Sequence, residues 1–539
     1  MTTLLIGLDG ATFTVLDPLM RDGVMPFLRD LVARGVRAQL RSTIVHVTPQ
    51  AWTSLVTGQP PGEHGVLDFV TAEQTAEGLF IRLVDSRDVA CDTVWAMASG
   101  EGRRAVALNF PIMFPAPQLP GCVIVPGFVS GRHLHRAMYP AGLFDTLKTV
   151  PGFDLDEIAW DMNREEKAVR TVGTEEREAW IRFHLRRERQ WFEVARHLLE
   201  RERADLFGVL FDGPDKLQHM AWPMIDPASR PSVLTEADRI VGGLCGEYFR
   251  NVDGYIRDLV RVAGPDARVF IASDHGFGPT EHIFYLNTWL QQHGHLVWRD
   301  VGERGQWDDM FTGRARSLPF DWQKTVAYAL TPSSNGIHIR VAREPGNPGV
   351  SPDAYHTFRS ELAHALEGVT DPESGDRIVS RVLTREEAFP GRQMDRAPDL
   401  TLVLRDFGFI STVRADAVVK RRPEVKGMHR YEGIFIAAGP GIRRGVEVDE
   451  RSIVDVCPAL LYSMGLEIPD DLAGVLPVQV FDPSLLASQP ARYRRAREHA
   501  PQAPTSEADL LPHEEAAIVE QLQALGYIDP APGSPRPRP

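Results

Sequence analysis

Cysteine is scarce in this chain. The 539 residues include four cysteines, and Cys91, Cys122, Cys245 and Cys457 are too far apart to form the short-spaced pairs of a zinc knuckle. Their spacing does not match a disulfide framework either. We therefore expect four free thiols that pack as small apolar side chains.

Long apolar runs and a surplus of positive charge are lacking as well. No apolar run reaches the ~20 residues that are needed to cross a bilayer, and the N-terminus has neither the basic segment nor the cleavage site of a secretory signal. The formal net charge of -14 argues against a general nucleic-acid-binding surface, while a local basic pocket for a phosphate stays compatible with it. The expectation is a cytoplasmic protein without a transmembrane segment that acts on a small molecule.

Short apolar runs alternate with helical patterns along much of the chain. Strands are predicted at residues 3–8, 105–108, 204–211 and 267–273, and helices at residues 24–34 and 91–102. Strands that alternate with helices form parallel sheets covered on both faces. The predicted fold is therefore α/β, with a mostly parallel central sheet flanked by helices.

Two stretches interrupt this alternation. Residues 128–203 are rich in charge and aromatics and are predicted to form a helical insertion or cap, with one long helix at 174–202. Residues 288–350 lack clear periodicity and are predicted to form an insertion or lid. The core is then expected to comprise residues 1–127, 204–287 and 351–483. Residues 484–539 are expected to be a linker, a short helix at 513–525 and a disordered tail.

Polar residues that could bind metal or take part in catalysis lie next to several of these apolar runs. Asp9 follows the first predicted strand, where a turn or cap aspartate is the alternative. Thr48 precedes a proline at the start of a helical pattern, so it suits either a helix cap or a nucleophile at a helix N-terminus. Asp215 and His219 are four residues apart and share one face of a helix, as a surface pair also would. Since the carboxyl ends of the strands meet at one edge of an α/β sheet, such residues can converge.

Two further segments complete the set. Asp274 and His275 end another strand, and adjacent strand side chains can share one ion only where the strand breaks, a break that Gly276 supplies. His429 precedes the apolar run at 433–439, where a lone histidine is more often structural. Carboxylates with imidazoles suit zinc better than calcium or magnesium, and manganese or iron could use the same ligands. Two such ions ~4 Å apart bind the attacking and leaving oxygens of a displacement at phosphorus.

These five segments, in this order, resemble the alkaline phosphatase superfamily, and most closely its type I phosphodiesterase/nucleotide pyrophosphatase branch. The resemblance runs from residue 1 to about residue 481. It implies that Thr48 is a nucleophile that becomes transiently phosphorylated. It implies a first zinc set of Asp9, Thr48, Asp274 and His275, and a second set of Asp215, His219 and His429.

Other polar residues near these segments have weaker assignments. Asn109 follows the strand at 105–108 and is a candidate donor to a phosphoryl oxygen, with a turn asparagine as the favoured alternative. Arg87 is a candidate for binding substrate charge. His64 resembles a family position that we interpret as structural, and His282 is interpreted as a lid or packing residue.

The residues around Thr48 distinguish the branches of the superfamily. Thr48-Pro49-Gln50 contains neither the Cys nor the Ser that sulfatases modify. No arginine follows Thr48 closely, unlike in phosphomonoesterases with a serine nucleophile, and this favours a diester or pyrophosphate bond. The sequence thus predicts an enzyme, a metal-dependent phosphodiesterase or pyrophosphatase.

Other functions fit the same motifs less well. A phosphoryl or phosphodiester transferase and a phosphonate hydrolase would share this core, so both stay open as alternatives. A non-catalytic binding protein is disfavoured by the complete ligand set. A dinucleotide-binding fold is disfavoured too, because the first strand and turn lack the G-x-G-x-x-G fingerprint.

Overall fold

The computed structural model describes residues 1–75, 78–129, 131–159, 174–299, 320–342, 344 and 346–497. In chain order the strands are β1 (Thr3–Leu8), β2 (Val36–Arg41), β3 (Val70–Thr75), β4 (Gly78–Leu83), β5 (Ala105–Leu108), β6 (Cys122–Val125), β7 (Leu206–Phe211), β8 (Arg268–Ala272), β9 (Gly276–Phe284), β10 (Ala327–Tyr328), β11 (Gly336–Ile339), β12 (Val379–Thr384), β13 (Leu400–Leu404), β14 (Val419–Arg430), β15 (Glu432–Ala438), β16 (Val446–Glu447), β17 (Arg451–Ser452), β18 (Ile468–Pro469) and β19 (Tyr493–Arg494).

The helices are, in the same order, α1 (Phe13–Arg21), α2 (Pro26–Ala33), α3 (Thr48–Thr57), α4 (Pro61–His64), α5 (Val94–Gly100), α6 (Gly131–Ala137), α7 (Leu143–Leu147), α8 (Leu155–Ile158), α9 (Thr174–Glu202), α10 (Gly213–Ile225), α11 (Glu236–Ala263), α12 (Leu286–Gln292), α13 (Tyr355–Glu367), α14 (Arg385–Ala388), α15 (Val456–Ser463) and α16 (Pro483–Ser488). Among the helices that the structure describes, none is both long enough and apolar enough to cross a membrane.

A nine-stranded sheet organises the main body. Its order is β16–β2–β15–β8–β1–β7–β5–β6, and β17 also pairs with β2. Strand β1 runs parallel to β7 and β8, and β5 runs parallel to β6 and β7, whereas β15 runs antiparallel to β2 and β8. The predicted α/β fold with a mostly parallel sheet is confirmed, and the carboxyl ends of β1, β5, β7 and β8 lie along one edge.

Both faces of this sheet are covered, which explains why its central strands are apolar throughout. In β1 every residue is buried, and side chains alternate between faces. Leu4, Ile6 and Leu8 belong to one apolar cluster, and Leu5 belongs to another on the opposite face. The first cluster includes residues of α9, α10 and α11, and the second includes residues of α3, α5 and α15.

The predicted long helix at 174–202 is present as α9. It is not detached from the main body, because Trp191 and Leu198 belong to the same apolar cluster as Leu4 and Ile6 of β1. Its neighbour in the helical layer is α11. In this part of the predicted insertion, the chain therefore contributes to the core itself.

A second, four-stranded sheet has the order β10–β11–β13–β12 and its own apolar cluster. Strand β11 pairs with β13, so this sheet joins residues on both sides of the boundary predicted at 350. The middle of the predicted lid and the predicted helix at 513–525 lie outside the described residues. The domain bounds proposed from sequence stay predictions.

Candidate metal centre

The predicted ligands are brought to the carboxyl edge of the sheet by five elements. Asp9 follows β1, and Asp274 and His275 connect β8 to β9. Asp215 and His219 lie in the first turns of α10, which begins directly after β7, and His429 lies near the end of β14. Thr48 is the first residue of α3, whose N-cap position is held by Val47 rather than by Thr48.

Thr48, Asp9, Asp274 and His275 lie close together. The Nε2 atom of His275 is 3.2 Å from Asp274 Oδ2, 3.4 Å from Thr48 Oγ1 and 3.6 Å from Asp9 Oδ1. The ligand atoms of Asp9, Asp274 and His275 lie within 4.8 Å of one another, a separation that one ion can bridge. All four side chains are buried.

Asp215, His219 and His429 form a second group beside the first. Asp215 Oδ1 lies 3.1 Å from His429 Nε2 and 3.4 Å from His219 Nε2. The same oxygen is 4.0 Å from His275 Nε2, so His275 also completes a second triad of convergent ligand atoms with Asp215 and His429. The two groups predicted from sequence are therefore adjacent in space.

The three histidines are oriented by backbone carbonyls. The Nδ1 atom of His429 is 2.8 Å from His46 O, that of His219 is 3.2 Å from Gly427 O, and that of His275 is 3.1 Å from Gly276 O. A carbonyl only accepts hydrogen bonds, so each Nδ1 carries the proton and each Nε2 presents a lone pair to the site. Burial lowers the pKa of His275 and of His429, which keeps both rings neutral. Neutral imidazoles in this tautomer are metal ligands.

Each of the three aspartates has one oxygen held and one left facing the histidines. Trp52 Nε1 donates to Asp9 Oδ2 at 3.2 Å, Gly10 N donates to Asp274 Oδ1 at 3.1 Å, and Lys216 Nζ lies 3.2 Å from Asp215 Oδ2. Across the described residues, no hydrogen bond reaches the other oxygens, Asp9 Oδ1, Asp274 Oδ2 and Asp215 Oδ1. These oxygens are the ones that approach the Nε2 atoms.

The charge of this cluster is unbalanced without a cation. Burial raises the pKa of Asp9 well above its usual range, with repulsion from Asp274 and Asp215 adding to it, and burial and Asp215 likewise raise the pKa of Asp274. Buried carboxylates that lack donors are costly unless a positive charge compensates them. The residues therefore fit divalent metal ions bound by oxygen and imidazole nitrogen.

Lys216 is a functional candidate that the sequence did not single out. Its side chain is buried, and its ammonium lies against the Asp215 carboxylate. Burial would raise the pKa of Asp215, but the ammonium of Lys216 makes the largest of several contributions that lower it, and together these hold that pKa well below its usual range. The sequence signal was a lysine directly after a predicted ligand. His46 and Trp52, which orient His429 and Asp9, had no comparable signal.

Asn109 lies beside the centre, but its amide already has partners in the protein. It has a left-handed φ of 65°, and its Nδ2 donates to Leu210 O at 2.9 Å and to Asp212 Oδ1 at 3.3 Å. Its Oδ1 accepts from Arg187 at 3.4 Å. These contacts match the alternative of a turn asparagine, and the contact with a phosphoryl oxygen stays a prediction.

The remaining candidates make contacts of other kinds. Arg87, in a short 3-10 turn, pairs with Asp85 at 2.6 Å, and its assignment to substrate binding stays a prediction. His282 Nε2 lies 3.2 Å from Asp371 Oδ2. His64 is fully buried, its Nε2 is 2.8 Å from Ser54 Oγ, and its Nδ1 accepts from Val66 N at 3.1 Å. These bonds fit the structural interpretation of His64.

Comparison with known proteins finds a family model that matches most of the chain. The family model described as type I phosphodiesterase / nucleotide pyrophosphatase matches residues 3–432. No curated protein matches the chain.

Solved structures with a similar fold include two kinds of hydrolase. Murine ectonucleotide pyrophosphatase / phosphodiesterase 5, in an inactive form in complex with AMP, is 14% identical with a TM-score of 0.51, and the match covers 89% of this chain and 100% of that one. Phosphonoacetate hydrolase from Sinorhizobium meliloti 1021, in complex with phosphonoformate, is 16% identical with a TM-score of 0.52, covering 86% of this chain and 95% of that one. At this identity the similarity establishes the fold.

Proposed function

Because this chain belongs to the type I phosphodiesterase/nucleotide pyrophosphatase family and is an enzyme that hydrolyses phosphoester bonds, we propose that it cleaves a phosphodiester or pyrophosphate through a phosphothreonine on Thr48. The observation that carries this proposal is the position of Thr48. Its Oγ1 lies 3.4 Å from His275 Nε2, beside three buried carboxylate oxygens without hydrogen-bond donors.

The local structure of α3 supports Thr48 as the attacking residue. As the first residue of a ten-residue helix, Thr48 lies at the end where backbone N–H groups lack partners within the helix. Such a helix end binds phosphoryl oxygens through these groups and through the helix dipole. The backbone at Thr48 therefore suits the phosphoryl group that its hydroxyl attacks.

Two zinc ions are the proposed cofactors. The first would be held by Asp9, Thr48, Asp274 and His275, and the second by Asp215, His219 and His429. When bound, such ions lower the pKa of a hydroxyl or a water and offset charge on the phosphoryl oxygens. In the proposed reaction, Thr48 Oγ forms a bond to phosphorus while the bond to the leaving oxygen breaks, and water then hydrolyses the phosphothreonine and restores the hydroxyl.

A phosphonate substrate is the second candidate. The Sinorhizobium meliloti enzyme with a similar fold is a phosphonoacetate hydrolase in complex with phosphonoformate, and the murine protein is in complex with AMP. Phosphonoacetate is therefore included among the substrates to be tested.

Substitution of Thr48 tests the proposal. Thr48→Ala is expected to bind zinc with an affinity within a factor of a few of the parent's. It should lose turnover and yield no phosphothreonine after acid quenching. The parent quenched in the same way should give a peptide phosphorylated at Thr48, detected by mass spectrometry. Thr53→Ala is the matched control, because this threonine of the same helix uses its hydroxyl on Pro49 O. Undiminished turnover in Thr48→Ala would contradict the proposal.

A further inference from the structure

Helix α9 carries one arginine whose side chain is completely enclosed. Arg187 is 1% exposed, although its helix is charge-rich and its neighbour Arg186 is half exposed. The guanidinium is saturated with acceptors: Nε donates to Asp212 Oδ1, one terminal nitrogen to Asp212 Oδ2 and Asn109 Oδ1, and the other to the carbonyls of Ile158 and Ala159. All five N–H donors of the arginine are thereby used.

The carboxylate partner of Arg187 lies at the start of the helix that carries two predicted metal ligands. Asp212 is the residue between β7 and α10, and its carboxylate also accepts from Asn109 Nδ2, at the end of β5. Burial would raise the pKa of Asp212, but Arg187 and Lys216 outweigh it and lower that pKa. The ionised carboxylate of Asp212 thus connects the start of α10 to α9 and to the end of β5.

The contact between Arg187 and Asp212 adjoins the helix that carries two residues of the second predicted metal set. Asp215 and His219 are in the first two turns of α10, so the direction of that helix determines where their side chains point. Lys216 follows Asp215, and its ammonium lies 3.2 Å from Asp215 Oδ2. From α9 to the centre, the buried charges therefore alternate: Arg187, Asp212, Lys216 and Asp215.

A buried ion pair of this kind is a poor source of stability. The cost of removing both charges from water offsets much of their attraction, and apolar replacements of a whole pair are often neutral. What a fully satisfied guanidinium provides is a fixed geometry, because its planar fork allows one arrangement of acceptors. A lysine has three donors and no fork, so it cannot reproduce these contacts.

We propose that Arg187 is a positioning residue for the second metal ion: through Asp212 it fixes the start of α10 and thereby places Asp215 and His219. This rests on the two metal sets of the proposed function. The long helix of the predicted insertion is then part of the metal centre's support, and loss of its arginine affects the second metal more than the first.

Metal titration of the metal-free protein tests this inference. The variants are Arg187→Met, Arg187→Lys and Arg187→Met combined with Asp212→Asn, which removes both charges of the pair and keeps an acceptor for Asn109. Arg186→Met is the matched control, because this adjacent arginine makes an exposed contact with Glu157 at 3.0 Å. Each protein is titrated with cobalt(II), followed by its visible absorption, and with zinc by calorimetry. Circular dichroism verifies that each variant is folded.

Two binding events with parental affinities are expected for Arg186→Met. The double variant and Arg187→Met should bind the first ion with unchanged affinity and the second about 10–100-fold more weakly, the range found for residues that orient ligands. Arg187→Lys should not restore the parental affinity for the second ion. A folded double variant that binds both ions like the parent would overturn the inference alone, whereas a parent that binds fewer than two ions would overturn the proposed cofactors as well.

Discussion

The imidazole rings of His275 and His429 are stacked, with their centroids 3.6 Å apart and their planes inclined by 20°. His275 belongs to the first predicted metal set and His429 to the second. The stack depends on the pairing of β9 with β14, in which His429 lies opposite Phe277. The two sets are therefore in direct contact, and each histidine is also near Asp215.

This adjacency leads to a prediction about metal content. His429→Ala removes one nitrogen ligand from the second set while Asp9, Asp274 and His275 stay in place, so the bound zinc is expected to fall from about two ions per chain to about one. Asp274→Asn should instead weaken the binding of the first ion. Elemental analysis after gel filtration measures both. His282→Ala, which removes a contact with Asp371, is the control and should keep the parental content.

Turnover is measured on the same samples. His429→Ala is expected to lose activity together with its second ion, and excess zinc should restore part of it by mass action. A His429→Ala protein that keeps both ions at parental affinity would contradict the assignment of this residue.

Gly276 is predicted to tolerate no side chain. A Cβ atom at this position would lie 2.1 Å from Glu432 O, a backbone atom at the start of β15. Gly276→Ala is expected to destabilise the protein by about 3 kcal/mol and to displace His275. In contrast, a Cβ at Gly243, within α11, meets no atom within 4 Å, so Gly243→Ala should stabilise by about 0.5–1 kcal/mol. Urea unfolding followed by circular dichroism compares the two, and equal stability of Gly276→Ala and the parent would contradict the steric argument.

His64 gives a prediction about pH. Val66 N donates to its Nδ1, so the proton is on Nε2 and is donated to Ser54 Oγ. Burial lowers the pKa of His64 from about 6.5 to about 3. Between these values the unfolded chain binds a proton that the folded protein does not bind, so the contribution of His64 to stability falls as the pH drops below about 6.5. The full loss, reached near pH 3, is on the order of 5 kcal/mol.

The variant His64→Gln isolates this contribution. Because glutamine does not titrate, its free energy of unfolding should depend less steeply on pH than that of the parent. The variant loses hydrogen bonds at pH 7, and its deficit relative to the parent should shrink at pH 6 and again at pH 5. Unfolding in urea at the three pH values, without metal, provides the measurement. Parallel curves for the two proteins would contradict a neutral, buried His64.

The sheet and the convergence of the ligands could be predicted because their signals are local. The apolar run of β1 and the polar residue that follows it are adjacent in sequence, as are β8 and Asp274. Once such strands are parallel, their polar ends must meet. Thr48 instead had a helix-start signal, the proline that follows it.

Contacts between distant segments could not be predicted in this way. Arg186 and Arg187 are adjacent on a charge-rich helix, and no local pattern distinguishes the exposed arginine from the buried one. The pairing of β11 with β13 crosses the predicted boundary at 350 for the same reason, since strand pairing over a long separation has no local signature. The carbonyl of His46 that orients His429 is equally remote in sequence.

The expected preference for a diester over a monoester is argued from the charges near Thr48. A monoester is a dianion, whereas a diester carries one negative charge, so a monoester gains more from a cation beyond the two metals. Lys216, the lysine beside the centre, already lies 3.2 Å from Asp215 Oδ2, so its charge is offset by that carboxylate. We therefore expect kcat/KM for an aryl phosphodiester to exceed that for the matching aryl monoester by at least about tenfold, or ~1.4 kcal/mol in transition-state free energy. Both rates, with phosphonoacetate as a third substrate, are measured on zinc-loaded protein, and Thr48→Ala gives the background. A monoester preference would show that another cation reaches the site and would overturn the diesterase assignment, while leaving the assignment of Thr48 unaffected.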